Sequence, residues 1–224
     1  MLKNNLHHIS LYVVIANYGQ ANSIIRYAKQ LGVTGATVCY GTGSVKLSKL
    51  LEFFDLASIK KEIIFMIAET RIGTNALELI TSKFHFDKPN KGIAFAIPIT
   101  NVIGSRLFPE ETMDKGDENT MYQAIFTIVD KGQAEEVIES AKQAGSRGGT
   151  IINARGSGIH ETAKFFNMEV LPEKEIVLIL CEKTITHQII DKIRETVGID
   201  QASNGIIFVQ DVSETFGLQK GKNI

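Results

Sequence analysis

Gly148-Gly149-Thr150-Ile151-Ile152-Asn153-Ala154-Arg155-Gly156-Ser157-Gly158 decides how the chain is read. The β-branched run Thr150 to Ile152 has the composition of a buried strand. It empties into Arg-Gly-Ser-Gly and then into a long polar stretch. Two glycines with one residue between them let a backbone turn sharply and let a ligand approach its N–H groups. Arg155 adds a permanently charged, forked donor at the same place. Taken alone, the stretch reads equally well as an ordinary turn after a strand. Its position in the chain separates the two readings.

The stretch has a counterpart. Gly35-Ala36-Thr37 matches Gly148-Gly149-Thr150, and Gly19-Gln20-Ala21 recurs as Gly132-Gln133-Ala134. Ala28-Lys29-Gln30 recurs as Ala141-Lys142-Gln143, Gly32 as Gly145, and Lys61-Glu62-Ile63 as Lys174-Glu175-Ile176. Asn90-Lys91-Gly92-Ile93-Ala94-Phe95 matches Ser203-Asn204-Gly205-Ile206-Ile207-Phe208, and Gly104 matches Gly217. Each of these pairs is 113 residues apart, while Phe53-Phe54 and Phe165-Phe166 are 112 apart. A constant offset over so many positions marks two copies of one domain. The first is expected over 7–104 and the second over 120–217, with a charged, Pro- and Gly-containing linker at 105–119 and a tail at 218–224. Each copy, at about 100 residues, is long enough for one modest core.

Hydrophobic residues make up 44% and charged residues 22% of the chain, the balance of a globular protein rather than a disordered one. A net charge of −1 gives no electrostatic case for nucleic acid or a basic membrane anchor. Cys39 and Cys181 lie far apart in apolar runs without metal-ligand spacing, as buried free thiols do in a reducing compartment. Met1 to His7 is polar and has no signal-peptide core, so a cytoplasmic location is expected. His7 and His8 are adjacent at a strand start and point to opposite faces, which argues against a metal there.

In the first copy, strands are expected at His8 to Ala16, Ala36 to Tyr40, Ile63 to Ala68 and Ile93 to Pro98. Helices are expected at Ala21 to Leu31 and Asn75 to Lys83. In the second, strands fall at Tyr122 to Val129, Thr150 to Ala154, Glu175 to Cys181 and Ile206 to Gln210. Helices fall at Ala134 to Ala144, with Glu135 and Glu136 in its first turn, and Thr184 to Val197, closed by Gly198. The fold class is therefore α+β: tandem ferredoxin-like βαβ–βαβ sandwiches, each an antiparallel four-stranded sheet with two helices on one face. Gly41 to Lys60 and Arg155 to Glu173, roughly 20 residues each, stand where a short hairpin would suffice. Loops that long in a compact domain are commonly functional.

A tandem βαβ unit with a long loop after its second strand resembles the PII-type (nitrogen regulatory) signal-transduction family. Gly149 to Gly158 looks like that family's second strand running into its T-loop. Gly158-Ile159-His160-Glu161-Thr162-Ala163-Lys164-Phe165-Phe166 looks like the T-loop of a divergent branch. Asn204-Gly205-Ile206-Ile207-Phe208-Val209 looks like its B-loop leading into the last strand. The resemblance implies a non-enzymatic regulator that binds an adenine nucleotide (ATP, ADP or AMP) or another anion at inter-domain clefts. It also implies a homo-oligomer, a trimer or alternatively a dimer, that controls a membrane transporter or an enzyme through its T-loop. The ligand-binding residues it implies are Arg155, Gly156, Ser157, Gly158 and Gly205, with Gly43, Lys91 and Gly92 in the first copy. Partner docking would fall on His160, Glu161, Lys164, Phe165 and Phe166.

Departures from the family pattern narrow the ligand. Asp200 stands at a B-loop glycine, Ile206 at the phosphate-pairing lysine, and Gly217 and Gln219 at two phosphate-holding arginines. A triphosphate needs cations that these positions do not supply, so a less charged nucleotide or another anion is the easier fit. His160 replaces the glutamine of the magnesium and 2-oxoglutarate response. At the positions of Arg155, Gly156 and Gly158 the first copy has Thr42, Gly43 and Val45, so the copies are not expected to do the same work. The alternative reading is a ferredoxin-like enzyme or metal-binding protein that has lost nucleotide sensing. His160-Glu161 with Lys164 would then supply a base, an acid and a cation, but no third group to position them is identifiable. No catalytic residue, metal ligand or certain cofactor is assigned.

Overall fold

The computed structural model of the chain describes residues 9–44, 58–105, 120–157, 163–165, 168–201 and 204–215. It forms two compact units. Unit 1 is Met1–Pro98 with Ile152–Glu175, and unit 2 is Ile99–Ile151 with Ile176–Ile224. The packing units thus divide the chain differently from the sequence repeat. Residues 152–175 of the second copy pack with the first, and residues 99–104 of the first pack with the second.

Unit 1 contains strands β1 (Ile9–Asn17), β2 (Ala36–Ser44), β3 (Ser58–Glu69) and β4 (Gly92–Pro98), and helices α1 (Ala21–Gln30) and α2 (Thr70–Lys83). β1 is apolar and buried along nearly all its length. It pairs antiparallel with β3, Ile9 opposite Glu69, and with β4, Ser10 opposite Pro98. β2 pairs antiparallel with the far edge of β3. The core places Ile24, Ile25 and Ala28 of α1 with Val14, Ile64 and Met66 of the sheet. Tyr12 reaches from β1 to α2, where its hydroxyl donates to the carbonyl of Thr70 at 3.0 Å. A Cβ on Gly73 would lie 1.9 Å from that ring, so glycine is the residue that fits there. The sequence reading started this helix at Asn75. A helix-interior glycine argues against helix locally, but here the room it leaves for Tyr12 decides.

Unit 2 holds β6 (Tyr122–Asp130), α3 (Ala134–Gln143), most of β10 (Glu173–Glu182), a 3-10 turn (Lys183–Ile185), α4 (Thr186–Val197) and β11 (Ile206–Val212). β5 (Asn101–Ile103) joins it. β11 lies antiparallel between β6, Ile206 opposite Ile128, and β5, Ile207 opposite Ile103. The core is rich in isoleucine, with Ile125, Ile179, Ile189, Ile193 and Ile199 all fully buried. Phe126 and Phe208 stack at 4.8 Å on the sheet.

Strand–helix–strand–strand–helix–strand therefore occurs twice. α1 and α3 also end alike. The Gly32 amide donates to the Lys29 carbonyl and that of Val33 to Ala28, while Gly145 and Ser146 donate to Lys142 and Ala141. Gly32 at φ 98° and Gly145 at φ 95° supply the left-handed residue this Schellman ending requires.

The four-stranded expectation is corrected: among the described residues, nine strands make up the main strand order. In unit 1 the run is β4-β1-β3-β2-β7, where β7 (Thr150–Ser157) adds from Ile152 onward. In unit 2 the order β10-β6-β11 gains β5 at its edge. A separate two-stranded pair, β8 (Ala163–Phe165) with β9 (Met168–Val170), follows β7. Among the described residues, no helix is long and apolar enough to cross a membrane.

Candidate ligand-binding site

The turn expected at Arg155-Gly156-Ser157 is a strand. β7 runs through all three, pairing Arg155 with Val38, Gly156 with Thr37 and Ser157 with Ala36 of β2. The Gly156 amide donates to the Pro172 carbonyl at 2.9 Å. A Cβ on Gly156 would lie 3.1 Å from Lys174 Cγ, so the glycine here serves packing rather than a sharp turn.

Register carries Arg155 to an unexpected partner. Glu62 sits on β3 opposite Tyr40 of β2 and Ala16 of β1, in a strand otherwise apolar at that depth. Its side chain is 1% exposed. A buried carboxylate must recover what it loses on leaving water. One oxygen accepts Arg155 NH2 at 2.7 Å and the other accepts the Ala21 amide at 2.7 Å. Ala21 opens α1, and its amide has no acceptor within the helix. α1 has no acidic residue in its first turn and no side-chain cap. Glu62 therefore acts as its cap from a neighbouring strand and places negative charge at the positive end of the helix dipole.

Above this pair is an exposed aromatic and cationic surface. The Arg155 guanidinium lies 5.1 Å from the Tyr40 ring centroid, Tyr40 lies 5.9 Å from Tyr18, and Lys60 is 5.8 Å over Tyr18. Both tyrosines are more than half exposed. Arg155 Nε is buried and has no hydrogen-bond partner among the described residues. The surface offers flat faces for stacking and two cations for an anion, with Glu62 offsetting part of the Arg155 charge.

The other expected site residues divide between the units. In unit 1, Gly43 lies in β2 opposite Ile59. Lys91 lies in the turn before β4, on the surface. That turn is tied down by Asn17, whose side-chain amide donates to the Asn90 carbonyl at 3.1 Å and whose oxygen accepts Lys61 Nζ at 2.6 Å. Gly92 starts β4, and a Cβ on it would be 2.8 Å from the Ile15 carbonyl. Gly205, in unit 2, would bring its Cβ to 2.5 Å from the Ile128 carbonyl. The two glycines thus share one role, close approach to the first strand of their copy. Asp200 does not stand bare, since Arg194 NH2 pairs with it at 3.0 Å. Gly158, His160, Glu161 and Phe166 lie outside the described residues. Lys164 and Phe165 lie in β8, in register with Glu169 and Met168 of β9.

The sequence singles out Arg155 but not Glu62, Tyr40 or Tyr18, which the structure brings beside it. The available signal for Glu62 was a carboxylate beginning an apolar strand. Both cysteines are buried, as expected. Burial pushes the Cys39 thiol up to about 11. Burial also raises that of Cys181, against a hydrogen bond with the Thr186 hydroxyl.

Residues 122–222 match the family model described as Nitrogen regulatory protein P-II. This part of the chain is similar to the P-II family. The matched residues include the stretches likened above to the family's T-loop and B-loop, and all of β6 to β11. No curated protein matches the sequence. Two solved structures align over most of the chain. An unknown protein from Galdieria sulphuraria is 8% identical, covering 92% of this chain and 98% of its own at a TM-score of 0.26. A microcompartment protein from Desulfitobacterium hafniense DCB is also 8% identical, covering 92% and 96% at a TM-score of 0.26. Likenesses this distant bear on neither fold nor activity.

Proposed function

We propose that the protein is a cytoplasmic, non-catalytic signal-transduction regulator made of two P-II-type domains in tandem. The P-II match of residues 122–222 carries this reading. The shared element order, the two Schellman endings and the equivalent seats of Gly92 and Gly205 support extending it to the first copy. The effector is a small anion or a lightly charged adenine nucleotide, and the candidate residues for holding it are Arg155, Gly156, Ser157, Gly158, Gly43, Lys91 and Gly92 in the first unit and Gly205 in the second. The Glu62 partner of Arg155 and the Arg194 partner of Asp200 both temper local charge, in keeping with a ligand less charged than a triphosphate. The T-loop stretch 158–166 docks onto the regulated transporter or enzyme, and the protein acts as a homo-oligomer.

Calorimetric titration of the full chain with ATP, ADP, AMP, cyclic AMP and bicarbonate, each with and without Mg²⁺, tests the sensing role. Saturable binding of AMP or ADP that weakens in Arg155→Met is expected. Heat from none of the five ligands would overturn the assignment of an adenine-nucleotide or small-anion sensor.

A further inference from the structure

Arg155, Tyr40, Tyr18 and Lys60 form a row on the surface of unit 1. The ladders place Arg155 opposite Val38, Glu62 opposite Tyr40 and Lys60 opposite Thr42. Directly opposed residues of an antiparallel pair project from one face of the sheet. Arg155, Tyr40 and Lys60 therefore share the face of Val38, which belongs to the core under the helices. Tyr18 reaches them from the turn between β1 and α1, where its amide donates to the Lys60 carbonyl at 3.3 Å. Guanidinium, ring, ring and ammonium follow one another at 5.1, 5.9 and 5.8 Å.

The polar ends of this row are uncommitted. The Lys60 ammonium and both tyrosine hydroxyls make no hydrogen bond or ion pair with another described residue. Arg155 donates from NH2 to Glu62, and its other nitrogens have no acceptor among the described residues. Glu62 is buried and both its oxygens are taken, so it cannot meet a ligand itself. What the surface presents is two flat rings between two cations.

The second copy shows that the fold does not need them. At the 113-residue offset Ala21, Lys61 and Glu62 recur as Ala134, Lys174 and Glu175. Tyr18, Tyr40 and Lys60 become Lys131, Asn153 and Glu173 instead. The buried carboxylate and the helix start carry over, while both rings are lost and one charge is reversed. α3, β6, β7 and β10 form without the row.

We propose that Tyr18, Tyr40, Lys60 and Arg155 bind a planar aromatic anion, with its ring against the tyrosines and its carboxylate or phosphate on Lys60 or Arg155. Exposed tyrosine faces favour a rigid ring over an aliphatic chain. The two cations favour an acid over a neutral ring, and a charged acceptor suits the free guanidinium donors. The proposal rests on the reading of Arg155 as a ligand-binding residue and deepens it. It adds three residues of the first copy, lies wholly within unit 1, and makes no use of Gly205.

Calorimetry and saturation-transfer NMR on the full chain test this with four probes. Indole-3-carboxylate is the aromatic carboxylate and AMP the aromatic phosphate. Indole-3-carboxamide keeps the ring without the charge, and cyclohexanecarboxylate keeps the charge without the ring. At least one aromatic anion should bind saturably, about tenfold or more tighter than either control. Tyr18→Leu and Tyr40→Leu should each weaken it by about tenfold, with the circular-dichroism spectrum unchanged because both side chains are exposed. Lys60→Gln should weaken it less, and added salt should remove that difference. In wild-type chain deuterated except at tyrosine, saturating the tyrosine ring protons should transfer to the ring of the bound probe, a readout that needs no variant. Binding of neither aromatic anion, controls that bind as tightly, no transfer from tyrosine, or unchanged affinity in both tyrosine variants would overturn the proposal. AMP binding that survives Tyr18→Leu and Tyr40→Leu but not Arg155→Met would overturn this site and leave the sensing role standing. Indole-3-carboxylate binding that both tyrosine variants weaken, with silence from every candidate effector, would support this site and sink the effector assignment.

Discussion

Arg155–Glu62 in unit 1 and Arg194–Asp200 in unit 2 are both arginine–carboxylate pairs, and they differ in where the carboxylate sits. In unit 1, Glu62 is 1% exposed and Arg155 25% exposed. In unit 2, Asp200 is 58% exposed and Arg194 26% exposed. The distances are similar, 2.7 and 3.0 Å, so geometry does not distinguish them. Burial does. Glu62 has left water and depends on its two protein donors, while Asp200 can exchange Arg194 for solvent at little cost.

Arg155→Met breaks the comparison most sharply. It leaves the Glu62 carboxylate buried with only the Ala21 amide, and should cost about 3–5 kcal/mol in chemical denaturation. Adding Glu62→Met should return part of that loss, because the stranded charge is then gone. A double variant as unstable as the sum of the singles would show that the pair acts through packing alone.

Arg194→Met should cost no more than about 1 kcal/mol by the same measurement, and raising the salt should shrink the cost further. A loss equal to that of Arg155→Met would mean that exposure of the carboxylate is not what sets these values.

The smallest effect comes from the thiols, one in each unit. Cys39 is raised from 9.0 to about 11 in the folded protein, so the fold favours its neutral form. From pH 9 to 11 the unfolded chain loses this proton while the folded one keeps it. Stability therefore falls as pH rises through that window and is unaffected below it. Cys39→Ala should flatten the decline. At pH 8 both thiols should react with an aromatic disulfide reagent far more slowly than in denaturant.

The element order was legible because it rests on local periodicity and on a repeat that doubles every signal. The strand count was not. Alternation tells which face of a strand is apolar, not which strand lies beside it, so the pairing of β7 with β2 left no mark. β5 is three residues long, too short for any period, and was read as the end of a domain. Gly156 drew a turn because glycine after a strand usually breaks it, whereas here it makes room for Lys174. Within the candidate site, a lone arginine after an apolar run stood out. Its partner Glu62 lies 93 residues away and was visible only as one letter of a repeat.

Residues 152–175 belong by sequence to the second copy and by packing to unit 1. The boundary of the repeat is therefore not a boundary of the structure. A gene cut at 105–119 would yield a first half whose Glu62 has no guanidinium to meet and whose β2 edge has lost β7. It would yield a second half without β5 over β11. Each packing unit is thus completed by a segment that the sequence offset assigns to the other half of the chain.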